Sequence, residues 1–137
     1  MPTHFRLLLL CLSLFTVACK KDDPKVQPAL TGRWDSQQSI DYEYSATGQL
    51  VSQKSTPDMT YYMVITQDSL NFYERGTKSS WGRHSYVREG NELRYSRGQV
   101  TCTIAELSEH TLTLRYKNIN KSAPNTPYYD VEDKYTR

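Results

Sequence analysis

From Trp34 to Ser45 the side chains alternate with a period of two. Trp34, Ser36, Gln38, Ile40, Tyr42 and Tyr44 share one parity, while Asp35, Gln37, Ser39, Asp41, Glu43 and Ser45 share the other. Successive side chains on a β-strand point to opposite faces, so this stretch reads as a strand with one wet face and one mostly buried face. The same alternation returns at Leu70 and Phe72, at Leu93 and Tyr95, at Val100, Cys102 and Ile104, and at Leu112, Leu114 and Tyr116. No segment carries the 3.6-residue apolar stripe of a long amphipathic helix. Turn signals of hairpin length punctuate the pattern at Ala46-Thr47-Gly48, Gln67-Asp68-Ser69, Glu89-Gly90-Asn91 and Ser108-Glu109-His110.

These signals predict eight or nine strands, near 33–45, 49–55, 60–66, 70–75, 81–89, 92–97, 99–107, 111–117 and 127–136. Strands joined consecutively by tight turns form an antiparallel meander whose two edges stay unpaired unless the sheet closes. About eight strands is the number that closes around packed side chains or one small ligand. The expected fold class is therefore all-β, an antiparallel up-and-down barrel of about eight or nine strands. A two-layer sandwich is the alternative, but its Greek-key connections need longer links than most of these.

Composition narrows the function classes. With 17 Lys plus Arg against 15 Asp plus Glu, the formal charge of +2 is too small for a protein that works by neutralising many phosphates, so no nucleic-acid partner is expected. Ahead of the alternating region, Arg6 precedes an apolar run from Leu7 to Val17 that is too short to cross a bilayer as a permanent helix. Residues 1–18 therefore read as a secretion signal. The string Thr16-Val17-Ala18-Cys19 resembles a bacterial lipobox, with Thr16 where Leu is usual. That resemblance implies cleavage before Cys19 and lipid attachment to its sulfur, whereas bulky Leu10 ahead of Cys11 makes that cysteine the poorer candidate. Residues 19–29, with Lys20-Lys21-Asp22-Asp23 followed by Pro24 and Pro28, read as a lipidated Cys and an extended tether. The Lys-Asp-Asp run also resembles signals that send lipoproteins of some Gram-negative bacteria to the outer surface.

Removing the signal discards Cys11 and lipidation occupies Cys19, which leaves Cys102 alone and rules out a disulfide framework in residues 30–137. Stability must come from the core. A domain of about 108 residues can bury roughly 65% of its unfolded surface, enough without covalent staples.

At the head of the first strand, Leu30-Thr31-Gly32-Arg33-Trp34 resembles the Gly-X-Trp opening of lipocalins and the wider calycin superfamily. The segment from Thr103 to Leu114, together with the closing Tyr135-Thr136-Arg137, is similar to bacterial lipocalin-like lipoproteins. The resemblance implies that Trp34 closes one end of the barrel and that an Arg near the last strand lies over its ring. Arg137, which shares parity with Tyr135, Asp133, Val131 and Tyr129, fits that role better than Arg115 on the wet face. Gly32 would let the chain turn tightly into the strand. The chain is shorter than a typical lipocalin, and no flanking helix is expected.

Little in the sequence carries chemistry. His84 and His110 have no second ligand at metal-site spacing, phosphate loops and nucleophile elbows are missing, and acid pairs such as Asp41 and Glu43 lie on a solvated face. No metal, cofactor or enzyme activity is expected, and Cys102 reads as a small buried thiol. The most informative feature is an excess of tyrosine, 11 in the chain. Rings at a barrel mouth would grip an amphipathic molecule while hydroxyls orient it, although such rings also fill cores and pack across strands. The candidate ligand-binding residues are Tyr42, Tyr44, Tyr62, Phe72, Trp81 and Tyr116. The expected function is a membrane-anchored, lipocalin-like lipoprotein of the bacterial envelope, on the outer membrane and facing the cell surface, that binds a small hydrophobic or amphipathic ligand. The alternative is a filled barrel acting as a structural or protein–protein interaction module of the cell envelope.

Overall fold

A computed structural model describes residues 28–137. The expected signal peptide (1–18), the Cys19 attachment site and most of the 19–29 tether lie outside the described residues. Nine strands follow in chain order: β1 (Gly32–Tyr44), β2 (Leu50–Pro57), β3 (Tyr61–Ile65), β4 (Ser69–Glu74), β5 (Ser80–Glu89), β6 (Glu92–Tyr95), β7 (Val100–Leu107), β8 (Thr111–Ile119) and β9 (Tyr128–Thr136). All pair antiparallel, and β9 returns to pair with β1, so the sheet closes into a barrel of eight strands with β2 as an extra strand outside the wall.

The strand order departs from a strict meander at β2. β3 pairs with Gly32–Asp35 in the first part of β1, whereas β2 pairs with the later part, from Gln38 to Tyr44. The physical reason is the composition of β2: all eight of its residues are exposed, and the run Ser52-Gln53-Lys54-Ser55-Thr56 offers no apolar face to bury. β1 therefore stays paired with β9 along most of its length and exchanges β3 for β2 as its neighbour on the other side.

A bulge resets the faces of β1. Opposite β9 the register slips between Ser36 and Gln38, leaving Gln37 without a partner. Trp34 and Ser36 face the interior before the bulge, while Ser39, opposite Asp133, faces it afterwards. Gln38, Ile40, Tyr42 and Tyr44 are thereby turned outward. Ile40 is buried on that outer side, and it lies outside the core cluster. The expectation that every even position from Trp34 to Tyr44 shares one buried face therefore holds only as far as Ser36.

The core cluster is contributed by nearly every wall strand. Trp34, Met63, Leu70, Leu93 and Leu112 are fully buried, with Ile65, Cys102, Leu114 and Tyr135 close to it. One end is sealed. The Trp34 indole N–H donates to the Leu30 carbonyl at 2.8 Å, and the Arg137 guanidinium stands 4.1 Å over the Trp34 ring. Arg137 also donates to the carbonyls of Ala29, Thr31 and Glu109 at 3.0, 3.0 and 2.6 Å. One side chain thus ties the entering chain to the β7–β8 turn. Gly32 has φ +131°, and a Cβ there would lie 3.2 Å from Arg137 Nη1, so conformation and space both call for glycine.

Candidate functional site

The opposite end is ringed with aromatic side chains. Tyr61 on β3, Phe72 on β4, His84 on β5, Tyr95 on β6 and Tyr116 on β8 each keep parity with core residues of their strands, which is why they all face inward. Trp81 joins them through a bulge: Phe72 faces Gly82 and Tyr73 faces Ser80, so Trp81 is the extra residue. Its ring lies 5.4 Å from Tyr61 while the residue remains 55% exposed. Phe72 is 6.3 Å from Tyr61 and 6.0 Å from His84, and His84 is 6.0 Å from Tyr95. An aromatic floor therefore runs from the rim at Trp81 to His84. Gly82, at φ +152°, leaves room for His84: a Cβ at this position would come within 3.2 Å of Nε2.

Beneath these rings the hydroxyls satisfy one another. Tyr61 and Tyr135 share a hydrogen bond of 2.8 Å, and Tyr95 and Tyr116 share one of 3.2 Å. Burial pushes all four phenols up, Tyr95 to about 12, so each stays a neutral donor and acceptor at physiological pH. Cys102 is likewise pushed up to about 12 by burial, which holds it as an unreactive thiol. Asp133 is the one carboxyl on the inner face of β9. It accepts from Ser39 at 2.8 Å, and its pKa is raised above the ordinary carboxylate value by burial, with Asp58 and Asp41 adding to the effect.

The wall parts beside this floor. β5 pairs with β4 through Ser80–Ser85 and with β6 only from Tyr86 onward, because β6 is four residues long. The notch between β5 and the β6–β7 turn is a cavity of about 450 Å³ lined by Arg83, His84, Ser85, Ser96, Arg97 and Gln99. A second cavity of about 430 Å³ adjoins it, sharing Ser85 and Arg97 and adding Tyr86, Val87, Glu89, Arg94 and Gly98. His84 Nδ1 and Ser96 Oγ are 3.0 Å apart, and no acidic side chain among the described residues hydrogen-bonds this histidine. Nor, among the described residues, do three His, Cys, Asp or Glu side chains converge as a metal ion requires.

The six sequence candidates do not form one site. Phe72 and Tyr116 face the interior and Trp81 lies at the rim. Tyr42, Tyr44 and Tyr62 are on the outside of the barrel, so the expected shared mouth is corrected. Tyr42 and Tyr44 are turned out by the Gln37 bulge into a polar cluster: Arg115 reaches Asp130 and Glu132 at 3.0 and 3.1 Å, hydrogen-bonds the Tyr44 hydroxyl and lies 5.2 Å from the Tyr42 ring. Tyr62 has the opposite parity to Met63. It stacks on Tyr73 at 5.1 Å, with the Arg33 guanidinium 4.0 Å from its ring. The residues that sequence reasoning left out of the mouth, Tyr61, His84 and Tyr95, were marked by a simple signal: each sits two residues from an inward-facing neighbour, Met63, Tyr86 or Leu93.

No family model matches the chain, and no curated protein matches it. Among solved structures, the crystal structure of a lipocalin-like protein from Bacteroides uniformis ATCC 8492 superposes with a TM-score of 0.51 at 14% sequence identity, over 79% of this chain and 97% of that one. The fold is lipocalin-like. At so low an identity the likeness speaks for architecture alone. Within it, Gly32, Trp34 and Arg137 occupy the sealed end of this lipocalin-like barrel, and the aromatic floor and the notch occupy the other.

Proposed function

We propose that this lipocalin-like protein is a membrane-anchored lipoprotein of the bacterial envelope that holds a small hydrophobic or amphipathic molecule at the open end of its barrel without converting it. The observation that carries the reading is the aromatic floor from Trp81 to His84, which exposes an indole face at the rim and continues onto Phe72. Apolar rings with a few convergent polar groups are the usual make-up of a small-molecule site. Because the sealed half is filled by Trp34, Met63, Leu70, Leu93 and Leu112, the ligand would lie across the mouth. Non-catalytic binding is supported by the buried, protonated Cys102 thiol and by the histidine whose Nδ1 partner is a serine.

The two tryptophans provide the test. Trp34 is fully buried and Trp81 is 55% exposed, so an apolar ligand at the mouth should blue-shift emission from Trp81 alone. Titrating the full chain with the neutral fluorophore Nile red should give saturable transfer that is lost in Trp81→Ala and retained in Trp34→Phe. Absence of saturable binding would remove the reading. Anchoring is tested separately: Cys19→Ser should release the chain from the membrane fraction or leave an unprocessed precursor, and unchanged fractionation and mass would count against lipidation.

A second reading, an envelope interaction module, draws on β2. All eight residues of this strand are exposed, and it has a sheet neighbour on one side only, with Leu50 and Val51 uncovered. Deleting the β2 strand should leave Nile red binding intact if the mouth is the functional site, and loss of a co-purifying envelope partner on that deletion would favour the module.

A further inference from the structure

We infer that the notch between β5 and the β6–β7 turn is a binding site for an oxyanion, and that the amphiphile held at the mouth carries a carboxylate or phosphate head group seated there. This inference rests on the ligand-binding reading above and assigns the chemistry of one end of that ligand. The notch lining contains two guanidinium groups, Arg83 and Arg97, one imidazole, two serines and a glutamine amide, and no carboxylate. Every lining side chain can donate a hydrogen bond, and guanidinium is the group whose paired N–H donors match an oxyanion.

The two arginines are also available. Arg83 has only a 3.6 Å pairing with Asp68 between two largely exposed side chains, a contact worth little in water. Arg97 has no ion pair among the described residues. The neighbouring Arg94 differs, since Glu89 and Glu92 hold it at 2.7 and 2.6 Å. Close acidic partners are thus supplied to the arginine beside the notch, whereas of the two that line it Arg83 has only the exposed 3.6 Å contact with Asp68 and Arg97 has none among the described residues.

The backbone gives a second, independent reason. Ser96 and Arg97 form the centre of the β6–β7 hairpin turn with φ +54° and +60°, and the Gly98 N–H closes it onto the Tyr95 carbonyl at 3.1 Å. Positive φ at both central residues is the sign pattern of the tight hairpin turn that favours Asn-Gly. Two Cβ-bearing residues are held here in left-handed conformation, and their side chains line the cavity. Strain kept at a position that supplies a cavity's polar groups is what a binding role would retain. The notch also adjoins the aromatic floor through His84, whose ring packs against Phe72 and Tyr95. A head group between Arg83 and Arg97 would therefore have an apolar path for its tail toward Tyr61 and Trp81.

The test uses sub-micellar dodecanoate, dodecanol and acetate as probes, titrated into the full chain by calorimetry with Trp81 emission as the second readout. Dodecanoate should bind at least tenfold tighter than dodecanol, and acetate should bind weakly at the notch without changing Trp81. In the Arg83→Gln/Arg97→Gln double variant the gap between dodecanoate and dodecanol should close, with dodecanol unchanged and the thermal midpoint within a degree or two of the parent. Equal affinities in the parent, or a gap that survives in the double variant, would overturn the head-group assignment while leaving the ligand-binding reading standing. Binding of phosphatidylglycerol vesicles without binding of monomeric dodecanoate would overturn it in favour of a membrane-surface contact. Failure of both dodecanoate and dodecanol would remove the two readings together.

Discussion

The two ends of the barrel use the same residue types for opposite purposes. At the sealed end Trp34 is fully buried, its N–H is satisfied, an arginine covers its face and a glycine makes room for that arginine. At the open end Trp81 bulges out of its strand half exposed, two arginines stand without strong ion pairs, and serine and arginine occupy a turn that suits neither. Local preference, packing and polar satisfaction agree at one end and conflict at the other. Natural sequences tend to keep such conflicts where they serve recognition, so the contrast separates the part that holds the barrel together from the part proposed to meet a ligand.

The comparison can be broken most directly at the tryptophans. Trp34→Ala should cost about 3–5 kcal/mol in urea denaturation, the range for emptying a large buried aromatic site. Trp81→Ala should cost under about 1 kcal/mol, as surface substitutions do, while removing Nile red binding. Similar losses at both positions would erase the distinction. Next in size is Arg137→Ala, which deprives three carbonyls of their donor and lifts the cation from the Trp34 ring. A loss of about 2–3 kcal/mol is expected from charge-assisted hydrogen bonds together with a cation–π contact. Arg137→Lys should recover only part of it, because an ammonium cannot present the same planar fork.

Arg97→Asn sharpens the contrast from the other side. Asparagine tolerates left-handed backbone better than arginine does, so this variant should be more stable by roughly 0.5–1 kcal/mol, yet bind dodecanoate less tightly. A gain in stability without loss of the anion would show that the strained turn serves nothing in the notch. The smallest effect is expected at Asp133. Burial raises its folded pKa above the unfolded value, so the folded state binds more protons than the unfolded state between the two values, and stability falls as pH rises through that window. Asp133→Asn keeps an acceptor for Ser39 and should flatten this fall, making the variant more stable than the parent at pH 7 and nearly equal to it below the unfolded carboxylate range. A difference that does not change with pH would assign the effect to packing.

Strand content, closure and the run of hairpins from β3 to β9 were legible in the sequence because a period of two is written residue by residue along Leu93 and Tyr95, or Leu112, Leu114 and Tyr116, whereas the placing of β2 outside the wall was not. The sealed end was legible through the resemblance carried by Gly32, Trp34 and Arg137. The open end was legible only at Phe72, Trp81 and Tyr116, for two physical reasons. A bulge adds one residue and reverses every later side chain, and nothing in Ser36-Gln37-Gln38 announces it, so Tyr42 and Tyr44 read as inward when they are outward. The notch depends on where β5 exchanges one neighbour for the other. That is a property of register, and no single residue encodes it. Arg83 and Arg97 are fourteen positions apart on opposite sides of a gap, each reading as an ordinary solvated charge.

The Arg137 clasp has a bearing on how the molecule would stand on a membrane. By holding the carbonyls of Ala29 and Thr31, it fixes the point at which the polypeptide enters the barrel to the plugged pole. Under the lipid attachment proposed at Cys19, that pole would rest toward the lipid, and the aromatic funnel would look outward into the surrounding medium. Cargo would then be collected from the aqueous side, and the bilayer beneath would serve as a mooring.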